Sequence, residues 1–290
     1  MREVTVIGLG EMGSALAAAL VRTKASVTVW NRSAAKASRL VADGATLAPS
    51  VLTAVRASPI IVVCVSSYAA SREILETAAV AAALAGRVVI QLSTGTPKEA
   101  RDTDAWVRAQ GAEYLDGAIL AWPSQIGGAH TAILASGAAA TFAQAEEVLT
   151  VLAGGLRYLG EDVATSSVLF AAVLAHLAGR WIGTCHGALI CEAEGFDVAA
   201  FGAVLAGLAP ILGADDHHMG DVIHRGAFAN PESTLQTTAG DIGRLVQHAA
   251  EAGINAEVPR FAAALFRRAV DAGHGAEEHA ALIKVLRPAA

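Results

Sequence analysis

Over residues 1–160 the chain alternates short β-branched runs with alanine-rich stretches of helical period. Val4–Ile7, Val27–Trp30, Ile60–Val65 and Arg87–Leu92 read as strands, followed by Tyr114–Leu120 and Ala132–Ala135. Ile60–Val65 is apolar at every position, as a parallel strand buried on both faces requires. Met12–Arg22, Ser33–Ala42 and Thr141–Leu152 read as helices, with Ser33 at the N-cap of the second. Pro97 opens another helix at its first turn, where a missing N–H leaves no bond unmade. Strands alternating with helices predict an α/β fold with a doubly wound, mainly parallel sheet.

The pattern changes near Glu161, and no strand signal follows Val163. Val163–Glu194 reads as one long helix or two abutting ones, ending before Gly195. Shorter helices are expected at Val198–Leu208, Thr234–Ala252, Pro259–Ala272 and Ala280–Leu286. The expected division is an α/β domain over residues 1–160 and an all-α domain over residues 161–290. Val163–Gly179 is apolar almost all round, which predicts a helix buried on nearly every side.

Composition sharpens this picture. Hydrophobic residues make up 54% and charged residues 17%, so the chain can bury a large core and is not disordered. The mean hydropathy of +0.47 raises a membrane protein as a rival. Gly117–Ala145, Val163–Gly179 and Val198–Ala214 all lack Asp, Glu, Lys and Arg. The first is broken by Pro123, Gly127, Gly128, His130 and Gly137, and the second carries Thr165, Ser166, Ser167 and His176. The third contains Gly202, Gly207, Pro210 and Gly213. A spanning helix needs about 20 predominantly apolar residues, so no membrane span is expected. Apolar alternation begins at Val4, which leaves no room for a signal peptide. Cys64, Cys185 and Cys191 are too few and too apolar in context for a disulfide framework or a zinc site. A reduced, cytoplasmic protein is the expectation. The net charge of −6 argues against a nucleic-acid partner.

Between the first strand and its helix lies Gly8-Leu9-Gly10-Glu11-Met12-Gly13, a G-x-G-x-x-G turn. Its first glycine permits the tight turn and its second lets a pyrophosphate approach the backbone. The third allows close helix–strand packing, while the helix N-terminus offers N–H groups to phosphate. The end of the second strand then selects the nucleotide. A carboxylate there would bind a ribose 2′-OH; this chain has Asn31-Arg32-Ser33, with Lys36 one turn further. Guanidinium, hydroxyl and ammonium groups attract a 2′-phosphate, so NADP(H) is the expected cofactor. Cys64, Val65 and Ser66, at the end of the next strand, complete the expected cofactor contacts.

These residues resemble the β-hydroxyacid dehydrogenase superfamily. Further segments resemble imine reductases and reductive aminases within it. They are Leu92-Ser93-Thr94-Gly95-Thr96-Pro97, Asp116-Gly117-Ala118-Ile119 running to Pro123 and Ile126-Gly127, His186-Gly187-Ala188, and Ala272-Gly273-His274-Gly275 followed by Ala281-Leu282-Ile283. The resemblance implies an intertwined homodimer in which the long interdomain helix and the C-terminal helices exchange with the partner. Each active site would then lie between one subunit's Rossmann domain and the other's helical domain.

Hydroxyacid dehydrogenases of that superfamily use a lysine on the long helix as acid and base. This chain has no lysine between Lys98 and Lys284. Many imine reductases carry Asp or Tyr at the equivalent position, which counting back from His186-Gly187-Ala188 places at Phe170. Phe170 cannot move a proton, and neither can Leu169 or Ala171. Ketone reduction generates an alkoxide that needs a proton, whereas an iminium ion becomes a neutral amine on hydride delivery. The expected substrates are therefore imines or iminium ions, or a carbonyl and amine pair in reductive amination. A hydroxyacid-type dehydrogenase and a catalytically inactive NADP(H)-binding protein are the alternatives.

Ser93 and Thr94 follow a strand's carboxyl end, where they either orient substrate or cap the Pro97 helix. Trp122 is expected to wall the nicotinamide end or to pack in the core, and Leu174 and Met219 to line the substrate pocket. His176, about 240° round the helix from Phe170, faces elsewhere. Asp215-Asp216-His217-His218 lacks a third ligand at helical spacing, so a solvated or pocket-lining turn is favoured over a metal site. His217 is the substitute proton donor in this reading, because its ordinary pKa lies near neutrality. Asp241 and Arg244 are expected to pair on a helix surface.

Overall fold

The computed structural model describes residues 3–288. Two compact units are formed by Met1–Ala175 and His176–Ala290. The first is built on eight strands: β1 (Val4–Ile7), β2 (Val27–Trp30), β3 (Thr46–Leu47), β4 (Ile60–Val63), β5 (Val88–Gln91), β6 (Glu113–Leu120), β7 (Ala132–Gly137) and β8 (Arg157–Tyr158). Their order in the sheet is β3-β2-β1-β4-β5-β6-β7-β8. All neighbours run parallel except β6 and β7, which pair antiparallel with Gly117 opposite Ala135. This is a doubly wound Rossmann sheet whose strand order reverses between β1 and β4, where ligands bind in such folds.

The helices of this unit are α1 (Glu11–Arg22), α2 (Ser38–Ala42), α3 (Val51–Ala57), α4 (Tyr68–Leu75), α5 (Ala78–Ala83), α6 (Pro97–Ala109) and α7 (Ala139–Leu152). Side-chain alternation along the strands explains why both sheet faces are covered. Val4, Val6, Val27, Val29, Ile60 and Val62 join one buried cluster with Leu16 and Leu20 of α1 and Leu149 of α7. Ile7, Ile61, Val63 and Val89 point the other way, into a second cluster with Val55 of α3, Leu84 and Val107 of α6. Continuous apolar runs are the sequence signature of strands buried in this way.

Ser33–Ala42 departs from the expected single helix. It divides into a 3₁₀ turn, Ala34–Ala37, and α2, and Ser33 makes no side-chain cap. The two-residue strands β3 and β8 and the short helices α3, α4 and α5 carry too few residues for a period to show. Ser50 and Ser67 do cap α3 and α4 by accepting from Thr53 and Ala70.

The long helix α8 (Thr165–Ala193) begins in the first unit. Its expected all-round burial is not met within the chain. Beyond Ser167, Val168 is 49% exposed, and Leu169 and Leu174 are 40% exposed. An apolar period reports that a surface needs cover, not that the same chain supplies it.

The second unit continues through α9 (Val198–Arg225), α10 (Leu235–Glu251), α11 (Glu257–Ala269) and α12 (Leu282–Leu286). Its small core gathers Val222, Phe228, Leu235 and Ala269. The expected end of α9 at Leu208 is wrong. Asp197 caps its start by accepting from Ala199, and the helix runs through Pro210 to a left-handed Gly226. Proline there removes one backbone donor at a cost of about 3 kcal/mol, and the helix continues in spite of it. Asp215–His218 consequently lie on this helix and not in a turn. By length and composition alone α8 and α9 would each suffice to cross a bilayer, although Thr165, Ser166, Ser167 and His176 interrupt the first and Gly202, Gly207, Pro210 and Gly213 the second.

Candidate active site

The glycine turn joins β1 to α1 in the geometry its pattern demands. Gly8 has φ +98°, and a Cβ there would lie 2.2 Å from the Cys64 carbonyl oxygen. A Cβ on Gly13 would come within 2.1 Å of the Gly8 oxygen, so α1 packs onto the turn only without a side chain. Above Gly10 the space is open. Gly10 also caps α1 without a side-chain bond, which leaves the first-turn N–H groups free for an anion.

A cleft of about 450 Å³ opens over this turn. It is lined by Gly8, Gly10, Glu11, Met12 and Gly13, by Asn31, Arg32, Ser33 and Lys36, and by Cys64, Val65 and Ser66. Of the expected cofactor residues only Leu9 is absent from this lining. Leu9 is buried, and its N–H donates to Asn31 Oδ1 at 3.0 Å. Asn31 Nδ2 donates in turn to the Ser33 carbonyl at 3.0 Å. Asn31 thus braces the loop, while Arg32 and Lys36 form no ion pair among the described residues. Glu73 and Ile74 of α4 line the far wall and were not anticipated. Burial pushes the Cys64 thiol up to about 12, so it stays neutral.

A second cleft, of about 350 Å³, shares Glu11, Met12, Cys64 and Val65 with the first and continues it. Leu92, Ser93, Thr94, Ile119, Trp122 and Phe170 line it. Neither Ser93 nor Thr94 caps α6; Thr96 does, in a capping box with Glu99. Ser93 Oγ instead accepts from the Val65 N–H at 2.9 Å, fixing the loop, and its own hydrogen remains available. Trp122 is 65% exposed at the rim, which excludes core packing. Leu174 stands outside the lining, and Met219 packs against the core of the second unit around Val222. Within the chain Met219 is half-buried against that core. His217 is exposed on α9. His176 faces Asp216 at 3.8 Å, and Asp241 pairs with Arg244 at 3.9 Å on the surface of α10. No group of three or more potential metal ligands occurs among the described residues.

Beneath the second cleft lies a polar cluster that the sequence reading missed. Asp116, 1% exposed, receives four hydroxyls. Tyr68 and Tyr114 donate to Oδ1, the latter at 3.2 Å, and Ser166 and Ser167 donate to Oδ2, Ser166 at 2.7 Å. Burial raises the Asp116 carboxyl above the ordinary range, and the hydroxyls oppose that shift. Burial also raises both phenols, which remain protonated donors. Ser167 lines the cleft three residues before Phe170, on the same face of α8. That spacing is the one local signal of the cluster in the sequence.

Known proteins match along the entire described chain. Residues 3–160 fit the model of the NAD binding domain of 6-phosphogluconate dehydrogenase. Residues 162–288 fit that of the C-terminal domain of NADPH-dependent reductive aminase-like proteins. An NADPH-dependent reductive aminase of Aspergillus oryzae is 31% identical over 99% of this chain and 97% of its own. The solved imine reductase from Myxococcus stipitatus in complex with NADP+ is 35% identical, covering 98% of this chain and 100% of its own with a TM-score of 0.93. The reductive aminase from Aspergillus terreus in complex with NADPH and ethyl-5-oxohexanoate is 33% identical over 99% and 100%, with a TM-score of 0.91. A Rossmann unit with a phosphate-ready glycine turn, an apolar second cleft and matches of this extent lead to one assignment: the chain belongs to the family of imine reductases and reductive aminases.

Proposed function

We propose that this protein is an NADPH-dependent oxidoreductase that reduces C=N bonds of cyclic imines or iminium ions to amines, including those formed from a ketone and an amine. The observation that carries the reading is the apolar second cleft, continuous with the dinucleotide cleft and faced by Phe170 where a proton donor would stand. NADPH, when bound, supplies the hydride. Gly8, Gly10 and Gly13 with the free N–H groups of α1 would hold its pyrophosphate, and Arg32, Ser33 and Lys36 its 2′-phosphate.

The side chains of the second cleft orient the substrate and exclude water. Leu92, Ile119 and Phe170 form apolar wall, and Ser93 and Thr94 offer hydroxyls. An iminium carbon that accepts hydride leaves a neutral amine, so no acid is required. A ketone would leave an alkoxide beside Phe170 and the neutral Cys64. This makes carbonyl reduction by the same site slow, and it disfavours a hydroxyacid dehydrogenase.

The finer reading divides the chain into a cofactor domain, residues 1–160, and a dimerisation and substrate domain, residues 161–290. Trp181, Ile182, Val204, Ile211 and Leu212 expose a broad apolar surface on α8 and α9. Surface of that kind needs cover. A second copy is favoured over lipid because Arg180 interrupts α8, and Asp215, Asp216 and Asp221 occupy the end of α9. The reading is therefore a cytoplasmic homodimer with shared active sites, a small-molecule substrate, and neither membrane nor nucleic acid as partner. In it His217 reaches the partner's site as proton donor for substrates that enter as the neutral imine.

Phe170 also favours a second reading, a cofactor-binding protein without turnover. Loss of nicotinamide absorbance under a panel of cyclic imines, ketone and amine pairs, and ketones alone tests both. Imines reduced faster than ketones support the enzyme. Ketones reduced faster would overturn it, and tight NADPH binding without turnover would favour the second reading.

A further inference from the structure

Ser167 belongs to two structures at once: it lines the second cleft, and it is one of the four hydroxyls on Asp116. Its neighbours determine what its oxygen can do. Tyr68 comes from α4, Tyr114 from the strand of Asp116 itself, and Ser166 from α8. Each of the four gives its hydrogen to the carboxylate, and four donors fill the lone pairs of an ionised acid, which accepts only. Ser136 supports the arrangement by accepting from the Ser166 N–H at 3.1 Å and donating to the Val163 carbonyl at 2.8 Å. Burial alone would favour the neutral acid, and the four donated hydroxyls are what favour the ionised form. No Lys, Arg or His bonds to Asp116 among the described residues, so no cation offsets that charge.

With its hydrogen committed to Asp116, Ser167 meets the cleft as an acceptor. We propose that Ser167 binds the N–H of a protonated imine, and that Asp116 is the positioning residue that holds Ser167 in this acceptor state. The inference rests on the C=N reading above and adds a basis for its selectivity. An iminium N–H finds an oxygen lone pair backed by a buried charge. A ketone presents another acceptor, and Ser167 could donate to it only by giving up a charge-assisted bond to Asp116. The cluster thus favours C=N–H over C=O by a mismatch as well as by an attraction. The positive charge disappears as hydride arrives, so the interaction strengthens binding of the iminium more than the chemical step.

Two probes separate this role from a structural one: a protonated methylpyrroline, which carries N–H, and its N-methyl iminium salt, which does not. The measurement is kcat/KM for both, in wild type, Ser167→Ala, Ser167→Thr and Asp116→Asn. The ratio of N–H to N-methyl substrate is expected to fall about tenfold in Ser167→Ala and Asp116→Asn. The loss falls mainly on KM, and Ser167→Thr restores the ratio. NADPH titration by fluorescence reports whether each variant is folded; should Asp116→Asn fail, the two Ser167 variants decide. If wild type reduces both probes and the ratio does not move, the role of Ser167 is overturned while the C=N reading stands. If wild type reduces neither, the C=N reading falls and takes this inference with it.

Discussion

The N–H of Leu9 donates to Asn31 Oδ1 across 3.0 Å, and so the side chain at the end of β2 holds the glycine turn that follows β1. Asn31→Ala leaves a part-buried N–H unpaired and releases the Ser33 carbonyl. The expected result is a loss of about 1–3 kcal/mol in stability, read by denaturant unfolding, together with weaker NADPH binding. Unfolding curves that superimpose on wild type would refute this bracing role.

Arg32 and Lys36 line the dinucleotide cleft without an ion pair among the described residues. Arg32→Ala should weaken NADPH about tenfold to a hundredfold and leave NADH nearly unaffected, because only one of them carries the 2′-phosphate. Lys36→Ala should do the same to a smaller degree. Raising the ionic strength should narrow the NADPH preference of wild type, which titration at two salt concentrations measures.

Phe170 gives the cleft no proton to donate. Phe170→Tyr places a phenol at that position and is expected to raise ketone reduction relative to imine reduction, by tenfold or more on the scale of about 10²–10⁴ typical of general acids. Steady-state rates for one ketone and one cyclic imine suffice to read the ratio.

Cys64 illustrates a pH dependence whose sign follows from burial. Its folded pKa of about 12 lies above the ordinary 9.0, so the folded state holds the proton more tightly. The corresponding stability is complete below pH 9.0 and is lost as pH rises towards 12. The buried phenols of Tyr68 and Tyr114 act in the same direction at still higher pH. Cys64→Ala should therefore flatten the fall of melting temperature above pH 9.0. In native protein at pH 8, iodoacetamide should spare the buried Cys64 and label it only once the chain is unfolded, as mass spectrometry would show.

Ile211 is 66% exposed on α9, next to Leu212 at 50%. If a second copy covers them, Ile211→Asp with Leu212→Asp should convert the protein from dimer to monomer in sedimentation and abolish turnover. A wild-type protein that sediments as a monomer would dismiss the shared-site arrangement.

Much of the cofactor cleft was legible because its determinants are local. A glycine turn has to sit between a strand and a helix, and the next strand has to end beside it. Gly8, Gly13, Arg32 and Lys36 are therefore found by spacing alone. The Asp116 cluster is different in kind. Its partners lie 48, 2, 50 and 51 residues away, on a helix, the same strand and a second helix. No period links such positions, and each hydroxyl by itself reads as an ordinary polar residue.

The same division holds at the scale of the elements. Residue order by itself determined the alternating sheet, the all-α second half and the glycine turn between β1 and α1, because hydrophobic period and turn chemistry act over a few residues. The tertiary structure decided that α9 continues through Pro210, that Thr96 and not Ser93 caps α6, and that Asp116 stands under Ser167. It also left the apolar surface of α8 uncovered by this chain beyond Ser167. The reason is physical: local pattern states which side chains must leave water, and only the packed chain settles what they meet when they do.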